Sequence, residues 1–169
     1  MLANLTAVLD ACVLYPAPLR DLFMELAVRD LFRARWSAEI HDEWIRNLRA
    51  QRPDIDPNRL ERTRELMDRH VRDGLVTGHM PLVPSLSLPD EDDRHVLAAA
   101  IRSDAEVIIT KNLKHFPRAI LESYGIEPLH RISSIFPGRF WKVMESSRFI
   151  RTTFFWTCLN LRKVPFAQH

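Results

Sequence analysis

Four places in the chain carry side chains able to do polar chemistry: Asp10, Glu43, the acidic run at 90–93, and Asn112 with His115. Carboxylates held close together repel one another, and without a counter-charge some take up protons. A hard divalent cation relieves that repulsion, since Mg2+ and Mn2+ take oxygen ligands and keep several waters. Such an ion polarises a phosphoryl oxygen, lowers the pKa of a bound water and stabilises a leaving oxygen. Phosphodiester hydrolysis at such a centre needs no protein nucleophile. Each residue taken singly also has an ordinary reading. Asp10 suits a turn, Glu43 a solvated helix surface, Asn112 a turn and His115 a partly exposed loop. Asp90 and Asp93 are spaced as the N-cap and N3 positions of a capping box, with Asp in place of Glu.

The elements that must position these residues follow from the apolar pattern. Residues 5–9 (LTAVL) predict a buried strand that ends at Asp10. Residues 19–32 have helical spacing, with Pro18 in the first turn. Ser37 predicts the cap of a second helix running to about Arg49, with Ile40, Trp44 and Leu48 on one face and Glu39 and Asn47 beside Glu43. Residues 58–72 predict a third, highly charged helix that Gly74 stops. The stretch 75–89, with Gly78, Pro81, Pro84 and Pro89, predicts a loop with a short strand at most. A helix opening at Asp90 carries Val96, Leu97, Ala100 and Ile101 on its apolar face. Residues 107–110 (VIIT) predict a strand buried on both faces, followed by a loop, a short helix at 118–123 and a return to the sheet at 124–129. Strands alternating with helices predict an α/β fold with a mostly parallel sheet and helices on both sides, with helices 38–50 and 58–72 as an arm. Ligands of such folds gather outside the carboxyl ends of the strands. The polar residues there are Asp10 and the trio Thr110, Lys111 and Asn112.

In this order and context the chain resembles the PIN-domain family, including the VapC-type ribonuclease toxins of bacterial type II toxin–antitoxin systems. VLDACVLYP resembles the family's first strand and its metal-binding Asp, here Asp10; SAEIHDEWIRNL resembles the second acidic element and places Glu43. LPDEDDRHVLAAAI resembles the helix that supplies the third acid, Asp93, with Asp90 as an additional acid; VIITKNLKHFP resembles the final strand and loop. The resemblance covers roughly residues 5–129 and implies a three-layer PIN-like fold that hydrolyses RNA. It implies Asp10, Glu43 and Asp93 as catalytic metal ligands for Mg2+ or Mn2+, with Asp90 and Asn112 in support. Thr110, Lys111 and Arg94 stand where substrate phosphates would be met. It also implies a protein antitoxin as partner, and homodimerisation. Many members carry Asp where this chain has Asn112 and His115, so the alternative is a non-catalytic PIN domain serving as an RNA-binding or scaffold module. A phosphatase using the Asp after the first strand as nucleophile wants a second Asp two residues on; Cys12 stands there.

Composition frames this reading. With 169 residues, 46% of them hydrophobic and 27% charged, the chain predicts a PIN-like nuclease domain at 1–129 and an extension at 130–169. The formal net charge of +2 conceals an asymmetry, because residues 130–169 hold seven Lys/Arg and a single acid, Glu145. That extension mixes basic residues with aromatics such as Phe136, Trp141, Phe155 and Trp156. Three readings stand open for it: an RNA-binding extension, a partner- or dimer-binding segment, or a reading-frame change downstream of an intact domain. Cys12 and Cys158 form no CxxC pair, which argues against a structural zinc site or a disulfide framework and for buried thiols. The N-terminus lacks a basic leader region and no apolar run reaches membrane-spanning length, so the expected location is the cytoplasm, with no membrane partner.

Overall fold

A computed structural model describes residues 5–130, with strands β1 (Thr6–Leu9), β2 (Arg33–Ser37), β3 (Leu75–Val76), β4 (Val107–Ile109) and β5 (Glu127–Leu129). Helices are α1 (Ala11–Leu14), α2 (Ala17–Val28), α3 (Ala38–Gln51), α4 (Pro57–His70), α5 (Arg94–Arg102) and α6 (Arg118–Leu121). The expected readings of the segment 131–169, including that of Cys158, lie outside the described residues.

The five strands pair in the order β3-β2-β1-β4-β5, and every pairing is parallel. β1, all four residues buried, is the central strand. From β1 the chain builds outward to β2 and β3 on one side, then crosses to β4 and β5 on the other. The strand order therefore reverses between β1 and β4, the place at whose carboxyl ends sheets of this kind hold their ligands. The register Leu9↔Ile109 places Asp10 and Thr110 side by side there. Pro128 sits in β5, an edge strand, where its missing N–H is tolerated.

Helix α5 owes its place to small residues. Val96, Leu97, Ala98, Ala99 and Ala100 are all fully buried, so this helix is enclosed and lies close to β1, β2 and β4. On α3, Ser37 accepts the Ile40 N–H and caps the helix as expected. A buried polar network then fastens α3 to α4. The Trp36 indole N–H donates to Asp68 Oδ1 at 2.8 Å, and His41 Nε2 lies 3.0 Å from the same oxygen. The Trp44 indole N–H donates to His41 Nδ1 at 2.9 Å, so Nδ1 is the acceptor and the ring's proton is on Nε2, donated to Asp68. Burial pushes the His41 pKa below its ordinary value, in keeping with this neutral tautomer. Arg64 adds an ion pair to Asp42 at 2.8 Å, and α3 and α4 form the expected arm.

Three expectations need correction. The helical run does not continue to residue 32: α2 ends at Val28, Asp30 turns the chain with φ of 55°, and Phe32 enters the core ahead of β2. β2 itself, Arg33–Ser37, was not expected. Second, Gly74 is not a left-handed helix stop, since Asp73 has φ of 55°. Gly74 is small because a Cβ there would lie 2.8 Å from the Trp36 ring. Third, Asp90 and Asp93 make no capping box. α5 begins at Arg94, and Asp93, with helical φ and ψ of −84° and −4°, makes no side-chain cap. Its carboxylate is used elsewhere.

Candidate metal centre

Asp10 leaves β1 with its backbone N–H donated to Ile109 O at 3.1 Å, which continues the sheet ladder by one residue. Its side chain is buried, at 2% exposure. The Thr110 hydroxyl donates to Asp10 Oδ2 at 2.6 Å, and the Cys12 thiol donates to the same oxygen at 2.9 Å. Thr110 Oγ1 in turn accepts the Asn112 backbone N–H at 2.9 Å, and Cys12 Sγ accepts the Lys111 backbone N–H at 3.1 Å. The first strand's carboxylate is thus locked to the loop after β4. Cys12, expected to be an inert buried thiol, is part of that lock. Burial, followed by the charge of Asp10, raises its pKa far above the ordinary thiol range, so it serves as a donor and not a nucleophile.

The carboxylates act on one another. Burial raises the Asp10 pKa, and the charge of Glu43 raises it further, against the Cys12 and Thr110 hydrogen bonds and the Ala11 N–H. Burial also pushes Asp93 up to about 6, with the charges of Asp10 and Asp90 adding to the effect and His115 opposing it. Asp10 is therefore the common member: Glu43 from α3 and Asp93 from the start of α5 both lie within its electrostatic reach.

His115 meets the acids from the loop after β4. Its Nδ1 lies 2.7 Å from Asp93 Oδ2 and 3.3 Å from Asp90 Oδ2. Asp90, Asp93 and His115 each offer a ligand atom, all within 4.8 Å of one another, a spacing that one ion could bridge. Asp90 Oδ1 also accepts the Asp92 N–H at 3.1 Å, which fixes the loop that presents it. Glu43 faces His95, whose Nε2 is 3.5 Å from Glu43 Oε2.

Other expected participants stand differently. Asn112 contributes its backbone N–H to Thr110; among the described residues its side chain makes no hydrogen bond. Arg94 is tied to Glu91, with Nη2 2.7 Å from Glu91 Oε2, on the exposed side of the loop. Lys111 is half-buried beside Cys12, and burial lowers the pKa of its ammonium group. Sequence reasoning missed the parts played by Cys12 and His95, and, although it singled out His115, it did not foresee the pairing of that ring with Asp93. For Cys12 the signal was its place two residues beyond Asp10. The His115 contact joins residues 22 apart, and no local pattern announces it.

A family model described as the PIN domain matches residues 6–114. The chain belongs to the PIN domain family. Over 38 residues it is 66% identical to a protein of Mycobacterium tuberculosis (strain ATCC 25618 / H37Rv) named "Putative ribonuclease VapC50", a stretch that covers 22% of each chain. The match thus spans about a fifth of that relative's length. No solved structure matches. The family membership accords with the all-parallel sheet and the acids at its carboxyl edge. Among the described residues no helix is long and apolar enough to cross a membrane.

Proposed function

We propose that this PIN domain is a metal-dependent endoribonuclease and the toxin of a toxin–antitoxin pair. The observation that carries this reading is the electrostatic link among Asp10, Glu43 and Asp93, from three separate elements: the charge of Glu43 raises buried Asp10, and that of Asp10 raises Asp93. Their mutual repulsion, with Asp10 buried and Asp93 raised to about 6, is the electrostatic condition that a divalent cation relieves. Asp10, Glu43 and Asp93 would hold Mg2+ or Mn2+ directly or through water, with Asp90 and Asn112 in support. Bound there, the ion supplies an activated water and positive charge at the phosphoryl oxygens.

The protein's own part is orientation. Thr110 and Cys12 hold Asp10 still, so the ligand geometry is set before substrate arrives. Lys111, half-buried beside Cys12, is the residue of this loop left to meet an RNA phosphate, because Thr110 is fully buried and its hydroxyl is spent on Asp10. Arg94 reaches a phosphate only by leaving Glu91. A protein antitoxin would restrain such an enzyme by inserting an Arg or Lys among the acids, and the active form is a homodimer in the cytoplasm. Incubation of labelled RNA with the full chain tests the reading. Cleavage is expected with Mg2+ or Mn2+, lost in EDTA and restored by excess Mn2+. RNA binding without cleavage under either ion would favour the RNA-binding or scaffold alternative.

A further inference from the structure

Next to the acids, a second row of titratable groups lies against α3. Glu39 and Glu43 are one helical turn apart and share a side of the helix. His79, at 3% exposure, places Nε2 3.1 Å from Glu39 Oε2. His95, in the first turn of α5, places Nε2 3.5 Å from Glu43 Oε2. Glu39 lies below its ordinary pKa: burial pushes it up, but its own backbone N–H, the Ser37 hydroxyl, His79 and His95 together outweigh that. Two imidazole–carboxylate pairs, His79 with Glu39 and His95 with Glu43, therefore lie along α3, their rings drawn from the loop after β3 and from α5. Neither ring nitrogen of His79 nor Nδ1 of His95 finds a hydrogen bond among the described residues. The polar anchorage of each ring is its carboxylate neighbour.

Glu43 has one such neighbour. Among the described residues His95 is the side chain with which it pairs, while Asp10 repels it. We propose that His95 is a positioning residue, whose ring holds the Glu43 carboxylate in place beside Asp10 for metal binding. This rests on the metal reading above. Groups that steady a ligating side chain from outside typically contribute about 10–100-fold in metal affinity.

The test is Mn2+ titration of the full chain at constant pH, read by the electron paramagnetic resonance of the free ion, with a thermal melt of each variant. His95→Ala, and His95→Phe, which keeps a ring without polar nitrogens, are expected to weaken Mn2+ binding by about 10–100-fold. His95→Gln retains an N–H donor and is expected to stay within about threefold of wild type. A purely structural role would shift the melts while leaving the Mn2+ affinities alike. Wild-type affinity in both His95→Ala and His95→Phe would overturn the proposal. Glu43→Gln separates the two levels of inference. If it binds Mn2+ as wild type does, Glu43 is no ligand and the role of His95 falls alone. If wild type itself takes up no Mn2+, the metal reading falls and this inference with it.

Discussion

Asp10→Asn is expected to reduce RNA cleavage by at least about a hundredfold, because it removes the charge common to the three converging carboxylates. The same substitution is expected to raise the melting temperature of the metal-free protein at neutral pH. Asp10 is buried and its folded pKa lies above the ordinary 3.8, so its ionised form costs stability. The folded state binds the proton more tightly than the unfolded state. The stabilisation that results is fully present below 3.8 and is lost as pH rises through the folded pKa. The Asn variant escapes that loss, so its advantage is largest at neutral pH and shrinks in acid. Its amide oxygen can still accept from the Thr110 hydroxyl and the Cys12 thiol. Thermal melts in EDTA at pH 7.5 and pH 4, beside the cleavage assay, check both halves. An inactive variant that is also less stable would mean that Asp10 serves the fold and not an ion.

The largest stability effect is expected at Trp44. It is fully buried, donates to His41 and has the Arg20 guanidinium 4.7 Å from its ring centroid. Trp44→Ala should cost about 3–5 kcal/mol, as truncation of a buried aromatic leaves a cavity that the surroundings only partly fill. Trp44→Phe keeps most of the packing and leaves His41 Nδ1 without its donor, for a loss of about 1–3 kcal/mol. Urea unfolding at pH 7.5 distinguishes the two. Equal losses would mean that the hydrogen bond, not ring volume, dominates. Since Glu43 precedes Trp44 on α3, the Ala variant should also weaken metal binding, coupling the arm's packing to the site.

The parts of this fold that sequence reading reached are those written in local chemistry. The apolar runs of β1 and β4 marked two central strands, and the polar residues after them, Asp10 and Thr110, proved to be in direct contact. Ser37 announced α3 by a cap that the structure forms. The parts it missed depend on tertiary context. β2 carries Arg33 and Arg35 on alternating positions behind a strongly helical segment, so the period-2 signal was short and was outweighed. Beside the metal role that the family resemblance gives Asp93, its spacing from Asp90 suggested a helix cap, which does not form. The pull of His115, brought in by the loop after β4, gives its carboxylate a different partner. The small residue at Gly74 answers to the Trp36 ring across the fold, which no window around residue 74 contains.

Anomalous diffraction from crystals of the full chain grown in Mn2+ tests most directly whether the three carboxylates share one divalent ion at the carboxyl edge of β1 and β4. The predicted result is a manganese peak within coordination distance, about 2.0–2.6 Å, of Asp10 and Asp93 oxygens, with Glu43 reached directly or through water. A saturating Mn2+ soak that leaves no peak at Asp10, or that places the ion only at surface acids, would contradict it.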